Sequence, residues 1–223
     1  MATQLSFVPL AEAIFIGDVS APQMNRLIDE ELVPASLLMQ VGGVRKFARI
    51  TAAFAKFFFE TEPMLAASAR KIILRELTQR IESVQAKNRV FSLQVMPGDI
   101  NWMFIDAKLG VTVDVGRYVA DAMARASDVD RADQLIIEDP GIMGGVPCFA
   151  GTRVPIENVL GSLDKDISKE RVLKSYPFLT DAHLEAARIY TKVHPRKGRP
   201  RRLSESNHAD IRKVTRVIRP ARA

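Results

Sequence analysis

Apolar residues between positions 9 and 31 recur at helical spacing in two short runs. The pattern predicts one helix over residues 10–16 and a second that starts at Ser20, a typical N-cap residue, and reaches Asp29. The segment Gly17-Asp18-Val19 between them predicts a tight turn. Two short helices joined by a Gly-bearing turn are the signature of a helix-turn-helix, and an ordinary α-hairpin with a polar face gives the same pattern.

The segment that follows favours a DNA-binding module. Strand-like runs over residues 37–39 and 44–50 flank Val41-Gly42-Gly43 and predict a β-hairpin whose second strand is basic. A basic hairpin after a helix-turn-helix predicts a winged helix-turn-helix over residues 1–60, with the wing on the phosphate backbone. The predicted DNA contacts are polar or basic side chains of the second helix and the wing: Gln23, Asn25, Arg26, Arg45, Lys46 and Arg49.

Residues 61–134 are predicted to form a platform of helices and a small sheet. After a short apolar helix over residues 52–59, a long helix is expected from Thr61-Glu62-Pro63 to about Lys87, with apolar residues along one side. The long helix is either a dimer contact, which would match a palindromic operator, or a plain core helix. Both interpretations stay open at this point.

Strand signals and then helical signals follow the long helix. Runs over residues 90–95, 102–105 and 111–113 predict a small antiparallel meander. Residues 115–126 return to a helical pattern. The acidic and polar stretch over residues 127–134 is where we expect a domain boundary.

Turn-forming residues are densest between Glu138 and Leu160. Strand-like runs over residues 135–137 and 152–154 predict two short strands joined by an ordered glycine turn. A phosphate-binding loop is disfavoured, because the sequence lacks the spacing of the common glycine motifs and a second strand separates Gly144-Gly145 from the next helix. Helices predicted over residues 156–163, 168–175 and 180–190 form a small module of helix-turn-helix type.

Four short motifs occur in a fixed order in this module. They are Asp139-Pro140, Gly144-Gly145-Val146-Pro147, Gly151-Thr152-Arg153-Val154-Pro155 and Tyr176-Pro177-Phe178-Leu179-Thr180. From about residue 136 to residue 190 the chain therefore resembles family 433 of the domains of unknown function, although residues 164–167 replace a glycine that is usual in the family. The resemblance implies an antitoxin of VapB type that is paired with a PIN-like ribonuclease toxin.

A second resemblance covers about residues 9–59. The hairpin carries Arg45-Lys46-Phe47. It is similar to the wing of MerR-type winged helices, in which an arginine is followed by an aromatic residue. This resemblance implies a DNA-binding role for the N-terminal module.

Charge is distributed unevenly along the 223 residues. Residues 191–223 carry eleven Lys/Arg and two acidic residues, a net charge of +9, whereas residues 1–190 carry a net charge of −3. Such a basic segment favours a polyanion or an acidic protein surface. Within it, residues 209–218 predict a short helix with Ile211, Val214 and Ile218 on one face, which suits a groove. A DNA-binding tail without sequence preference is the alternative.

Signals for catalysis, metal binding and membrane insertion are weak. The three histidines are scattered and Cys148 is the only cysteine, so the usual tetrahedral zinc spacings are absent. Cys148 is expected to be a small core residue, and an enzyme that uses it with His183 is a third hypothesis. We therefore expect no catalytic residues, no metal and no cofactor. Without a signal peptide or an apolar run of membrane length, a cytoplasmic protein with no membrane contact is expected.

Together these patterns predict a mainly α protein with small β elements, of the α+β class. The expected parts are a winged helix-turn-helix (1–60), a platform (61–134), a family-433 module (135–190) and a basic toxin-binding tail (191–223). The expected function is that of an antitoxin that inhibits a PIN-like ribonuclease and, as a homodimer, binds the operator DNA of its own genes; the alternative is a free-standing transcription regulator. The predicted toxin contacts are the tail arginines Arg196, Arg199, Arg201, Arg202, Arg212, Arg216 and Arg219.

Overall fold

The computed structural model describes residues 6–108, 110–164 and 167–195. Helices dominate this part of the chain and the strands pair in small antiparallel sheets, which confirms the α+β class. No helix within it is both long and apolar enough to span a membrane. The strands are β1 Phe7–Pro9, β2 Leu38–Val41, β3 Val44–Ala48, β4 Met103–Asp106, β5 Val111–Asp114, β6 Ile136–Ile137 and β7 Cys148–Phe149. The helices are α1 Leu10–Gly17, α2 Ala21–Asp29, α3 Ile50–Glu60, α4 Ala67–Glu82, α5 Lys87–Phe91, α6 Gly116–Leu135, α7 Ile156–Leu163, α8 Lys169–Ser175 and α9 Asp181–Val193.

A continuous apolar core runs through the described residues from Val8 to Val193. Helix α3 is buried along most of its length, and its side chains Phe54, Phe57 and Phe58 are at most 1% exposed. Helix α6 packs against α1, α3 and α9. It runs unbroken through residues 127–134, where the sequence suggested a domain boundary. The N-terminal and C-terminal elements therefore pack on one shared helix.

The N-terminal elements follow the predicted order of two helices and a hairpin. Helices α1 and α2 occupy the expected residues, and β2 and β3 pair around the two-residue turn Gly42-Gly43. Both glycines have positive φ, which is the backbone geometry that a tight hairpin turn requires. Strand β1 pairs with the other edge of β3, so the sheet order is β1-β3-β2.

Two predictions for the middle of the chain are wrong. The long helix is shorter than expected: residues 61–64 form a turn after α3, and α4 begins only at Ala67 and ends at Glu82. Pro63 lies in this turn, where its missing N–H costs no helical hydrogen bond. The predicted strand over residues 90–95 is also wrong, because residues 87–91 form α5 and bury Val90 and Phe91. A short apolar run is compatible with a buried helix as well as with a buried strand.

As a result, β4 and β5 form a two-stranded hairpin rather than part of a three-stranded meander.

The predicted position of the second strand in the C-terminal module is also wrong. Strand β6 pairs with Cys148–Phe149, and not with residues 152–154. The latter lie in a turn in which Thr152 Oγ1 donates to the carbonyl of Phe149 and accepts from the N–H of Val154. The hydroxyl thus supports a turn in a run whose side chains suggested a strand.

The helices of the C-terminal module begin where the sequence predicts. Helix α7 follows Pro155, and Ser168 caps α8 by accepting a hydrogen bond from the N–H of Arg171. Thr180 caps α9, where His183 Nδ1 accepts from the N–H of Thr180 at 3.2 Å. The predicted glycine turn is also present, because Gly144, Gly145 and Gly151 have positive φ.

Candidate nucleic-acid interface and the adjoining groove

The turn between α1 and α2 fixes the position of the second helix. A Cβ on Gly17 would lie 2.6 Å from the carbonyl oxygen of Ala52 in α3, so the close approach of these helices requires a glycine. The next residue, Asp18, adopts the left-handed conformation at φ 52°. The N–H of Val19 then donates to the carbonyl of Ile14 and closes the turn. Helix α2 is therefore held at a fixed angle to α1.

The predicted DNA contacts on α2 have different surroundings. The side chain of Gln23 accepts from the N–H of Ser20 at 2.8 Å, so it forms part of the helix cap. Asn25 is half-buried. Arg26 is exposed, donates to Glu30 at 2.6 Å, and lies 5.4 Å from the ring centre of Phe59. On this helix, Asn25 and Arg26 keep side-chain groups that a ligand could reach.

The basic residues of the hairpin also differ in their exposure and contacts. Arg45 is 41% exposed near the turn, and its guanidinium lies 3.0 Å from the carboxylate of Asp29. This contact joins the hairpin to the end of α2. Lys46 is half-buried in β3, which has neighbours on both edges. Val41 and Val44 flank the turn and are more than half exposed, so the tip of the hairpin carries apolar as well as basic groups.

Arg49 lies inside the molecule rather than on the hairpin surface. Its side chain is only 12% exposed and pairs with Glu12 of α1 at 2.8 Å and with Asp130 of α6 at 2.7 Å. Burial raises the pKa of Glu12 even though Arg49 opposes the shift. Burial acts to lower the pKa of Arg49, but the carboxylates of Asp130 and Glu12 together outweigh it and raise that pKa. This ion cluster, Glu12–Arg49–Asp130, connects the N-terminal elements to α6 and gives Arg49 a structural role.

This ion cluster is not among the contacts that the sequence predicts. Arg49 belonged to a basic run, which made it resemble its exposed neighbours. One signal was available: Glu12 is a charged residue in an otherwise apolar helix, and buried carboxylates are nearly always paired. The partner on α6 could not be identified from the sequence, because it is remote along the chain.

A groove of about 1150 Å³ lies beside the candidate interface. One wall is formed by α1, α2 and the hairpin, and includes Asn25, Asp29 and Arg45. The opposite wall includes Glu138, Pro147 and the end of α9. The groove thus brings two of the predicted DNA contacts together with the C-terminal module. Its lining residues are Pro9, Leu10, Ala11, Ile14, Asn25, Asp29, Gly43, Val44, Arg45, Glu138, Pro147, Val193, His194 and Pro195.

Two polar contacts hold the end of α9 against α6 and β6. The hydroxyl of Tyr190 donates to Glu138 at 3.0 Å, and His194 Nε2 lies 3.0 Å from Asp133. Burial and the Glu138 carboxylate raise the pKa of Tyr190, so its hydroxyl keeps its proton and remains a donor. The described chain ends two residues after α9, at Pro195. The predicted tail contacts Arg196, Arg199, Arg201, Arg202, Arg212, Arg216 and Arg219, and the helix over residues 209–218, lie outside the described residues.

Cys148 is fully buried in β7. Burial raises the pKa of its thiol, which disfavours the reactive thiolate form. His183 is engaged in the cap of α9, and its ring packs edge-on against Phe149 with the ring centres 6.0 Å apart. These contacts place both residues in the packing of the C-terminal module.

Comparison with known proteins agrees with the motifs. No solved structure matches the chain. The chain is 29% identical over 191 residues to the uncharacterized protein y4eO of Sinorhizobium fredii, and the match covers 86% of this chain and 83% of the relative. Residues 136–191, which start at β6 and include most of α9, match the family described as "Protein of unknown function (DUF433)". The expected resemblance to this family is therefore confirmed for the C-terminal module.

Proposed function

We propose that the protein is the antitoxin of a toxin–antitoxin pair, which binds operator DNA through its N-terminal elements and a PIN-like ribonuclease through its C-terminal tail. The observation that carries the proposal is the order of three parts along one chain. A two-helix and hairpin unit comes first, the DUF433 segment follows at residues 136–191, and a strongly basic segment ends the chain. The proposed site of action is the cytoplasm.

The DNA-binding half of the proposal rests on the geometry of α2 and the hairpin. A recognition helix needs a fixed angle, and Gly17 and the Ser20 cap supply it. A wing needs a tight turn with basic side chains near its tip, and Gly42-Gly43 and Arg45 meet that need. We assign Arg26 and Arg45 to phosphate contacts and Asn25 to a base edge. A homodimer would place two such units on a palindromic operator.

The toxin-binding half rests on charge. Residues 196–223 contain ten Lys/Arg and two acidic residues, a net charge of +8. A PIN-like ribonuclease would hold its metal with clustered carboxylates, and arginines form short, strong bonds to carboxylates. An arginine delivered into that cluster would compete with the metal and the RNA. The proposal therefore assigns inhibition to the tail and DNA binding to the folded part.

Operator binding provides the test of the DNA-binding half. The double variant Arg26→Ala/Arg45→Ala removes two phosphate contacts, so the slope of log affinity against log salt should fall by about two. The DNA is the region upstream of the protein's own gene, and binding is measured by fluorescence anisotropy across a salt series. The double variant Arg131→Ala/Arg188→Ala is the matched control, because these two side chains are 60% and 57% exposed and lie on α6 and α9, outside α2 and the hairpin. Equal slopes for the two variants would remove this interface from the proposal.

A free-standing transcription regulator is the second candidate, favoured by the same basic tail. In that case the tail would add phosphate contacts, and a chain ending at Pro195 would bind operator DNA more weakly and with a smaller salt slope. Under the antitoxin proposal the shortened chain binds operator DNA at least as tightly as the full chain and no longer binds the toxin.

A further inference from the structure

The groove between the hairpin and the end of α9 is larger than an ordinary small-molecule site. Its volume is about 1150 Å³, whereas pockets for small ligands range from roughly 300 to 1000 Å³. Apolar side chains from both sides contribute to it, including Leu10, Ile14 and Val44 from one wall and Pro147 and Val193 from the other. A largely apolar groove of this size suits a peptide segment with an apolar face.

The chain itself supplies such a segment at the rim of the groove. Val193, His194 and Pro195 line the groove, and Pro195 is the last described residue, so residue 196 starts there. Residues 209–218 carry Ile211, Val214 and Ile218 at the spacing of one helical face. A ten-residue helix would be about 15 Å long. Residues 196–208 connect Pro195 to that segment. At roughly 3.3–3.6 Å for each extended residue, this connection is long enough to bring the segment back to the groove.

The distribution of charge also favours the C-terminal segment as the occupant of the groove. The last 28 residues carry a net charge of +8, and the rest of the chain carries −2. Within the groove, Glu138 is exposed on one wall and Asp29 is 59% exposed on the other. Arg45 offsets part of this negative charge. A basic segment with an apolar face therefore matches the groove in both respects.

We propose that residues 209–218 of the same chain bind in this groove, with the apolar face formed by Ile211, Val214 and Ile218 against Leu10, Ile14 and Pro147. The docked segment lies over Asn25 and Arg45. It would shield both from nucleic acid, a consequence that rests on the proposed DNA-binding function. The docking itself does not depend on that function, because it needs only the groove and the segment.

Paramagnetic relaxation in the full chain, without DNA or any partner protein, tests the docking. A spin label is attached at Val44→Cys, a position 57% exposed on the groove wall, in a Cys148→Ala background. The amide signals of Ile211, Val214 and Ile218 should lose most of their intensity. Ile72→Cys is the matched control, because Ile72 is 53% exposed on α4 and does not line the groove. A label there should leave the three signals unchanged.

Tail variants and mixed samples provide further tests of the docking. The tail substitutions Ile211→Asp and Val214→Asp lie outside the described core. With the spin label at residue 44, they should restore the intensity of the amide signals of residues 211, 214 and 218. Unchanged signals with the Val44 label, or equal loss with both labels, would overturn the proposal. So would signal loss in a mixture of spin-labelled chains and separate isotope-labelled chains, because the groove would then hold the tail of a second copy. None of these results depends on whether the protein binds DNA or a ribonuclease.

Discussion

Arg49 shows how a single side chain can belong to a basic run and still serve the fold. Its guanidinium lies between Glu12 and Asp130, and so connects α1 and the hairpin to α6. Arg45, four positions earlier, is 41% exposed and pairs with Asp29, which is 59% exposed. Exposed pairs of this kind contribute little to stability, whereas a charge left alone in a buried site is costly.

Replacing these two arginines should therefore have unequal effects on stability. Arg49→Met leaves the buried Glu12 carboxylate without its cation, and we expect a loss of about 3 kcal/mol in the free energy of unfolding. Arg45→Met should change that free energy by less than about 0.5 kcal/mol. Urea unfolding followed by circular dichroism measures both. Similar losses for the two variants would show that Arg49 is not part of a buried cluster.

The pH dependence of stability should report the ionisation of Glu12 independently of the arginine variants. Burial raises its pKa in the folded protein above the value in the unfolded chain, so the folded protein retains this proton to higher pH. Ionisation of Glu12 thus costs stability, and the cost is absent below the unfolded pKa and complete above the folded pKa. Glu12→Gln stays neutral throughout. The unfolding free energy of this variant, relative to the wild type, should rise as the pH increases above the pKa of an unfolded-chain glutamate, about 4.3. A constant or falling difference would contradict the assignment.

At the scale of elements, the parts predicted correctly are those specified by local signals. Ser20 and Thr180 begin helices through their own side chains, and Gly42-Gly43 forms the hairpin turn. The elements that were missed depend on tertiary packing. Helix α5 buries Val90 and Phe91, and strand β7 consists of the two buried residues Cys148 and Phe149, so packing against the core decides the conformation of both. Of the candidate site, the sequence indicated the helix and hairpin, but it could not distinguish exposed Arg45 from enclosed Arg49.

The approach of α1 to α3 at Gly17 gives a prediction at the scale of elements. Gly17→Ala would place a methyl group 2.6 Å from the carbonyl oxygen of Ala52 and force the helices apart. We expect the free energy of unfolding to fall by about 1–3 kcal/mol. Gly161→Ala in α7 is the control, because nothing outside its own helix turn lies within 4 Å of the added methyl group. It should leave stability unchanged or raise it by about 0.5–1 kcal/mol. Thermal unfolding of both variants makes the comparison, and an equal response would contradict a tight helix contact.

At the scale of the whole molecule, α6 is the common support. The N-terminal helices pack against it through α1 and α3, and the segment that matches DUF433 packs against it through α9. The groove lies where these two groups of elements face each other, and the described chain ends at its rim. A chain that ends at Pro195 keeps all the described core residues, so it separates the folded part from the tail without removing any of that core.

Co-expression with the product of the neighbouring gene is the most direct test of the antitoxin proposal. The full chain is compared with the chain that ends at Pro195. We expect that the full chain copurifies with the neighbouring protein and restores growth, and that the shortened chain folds but does neither. If the neighbouring protein does not slow growth and neither form copurifies with it, the antitoxin function is contradicted. Growth rescue by the shortened chain would contradict the assignment of toxin binding to the tail.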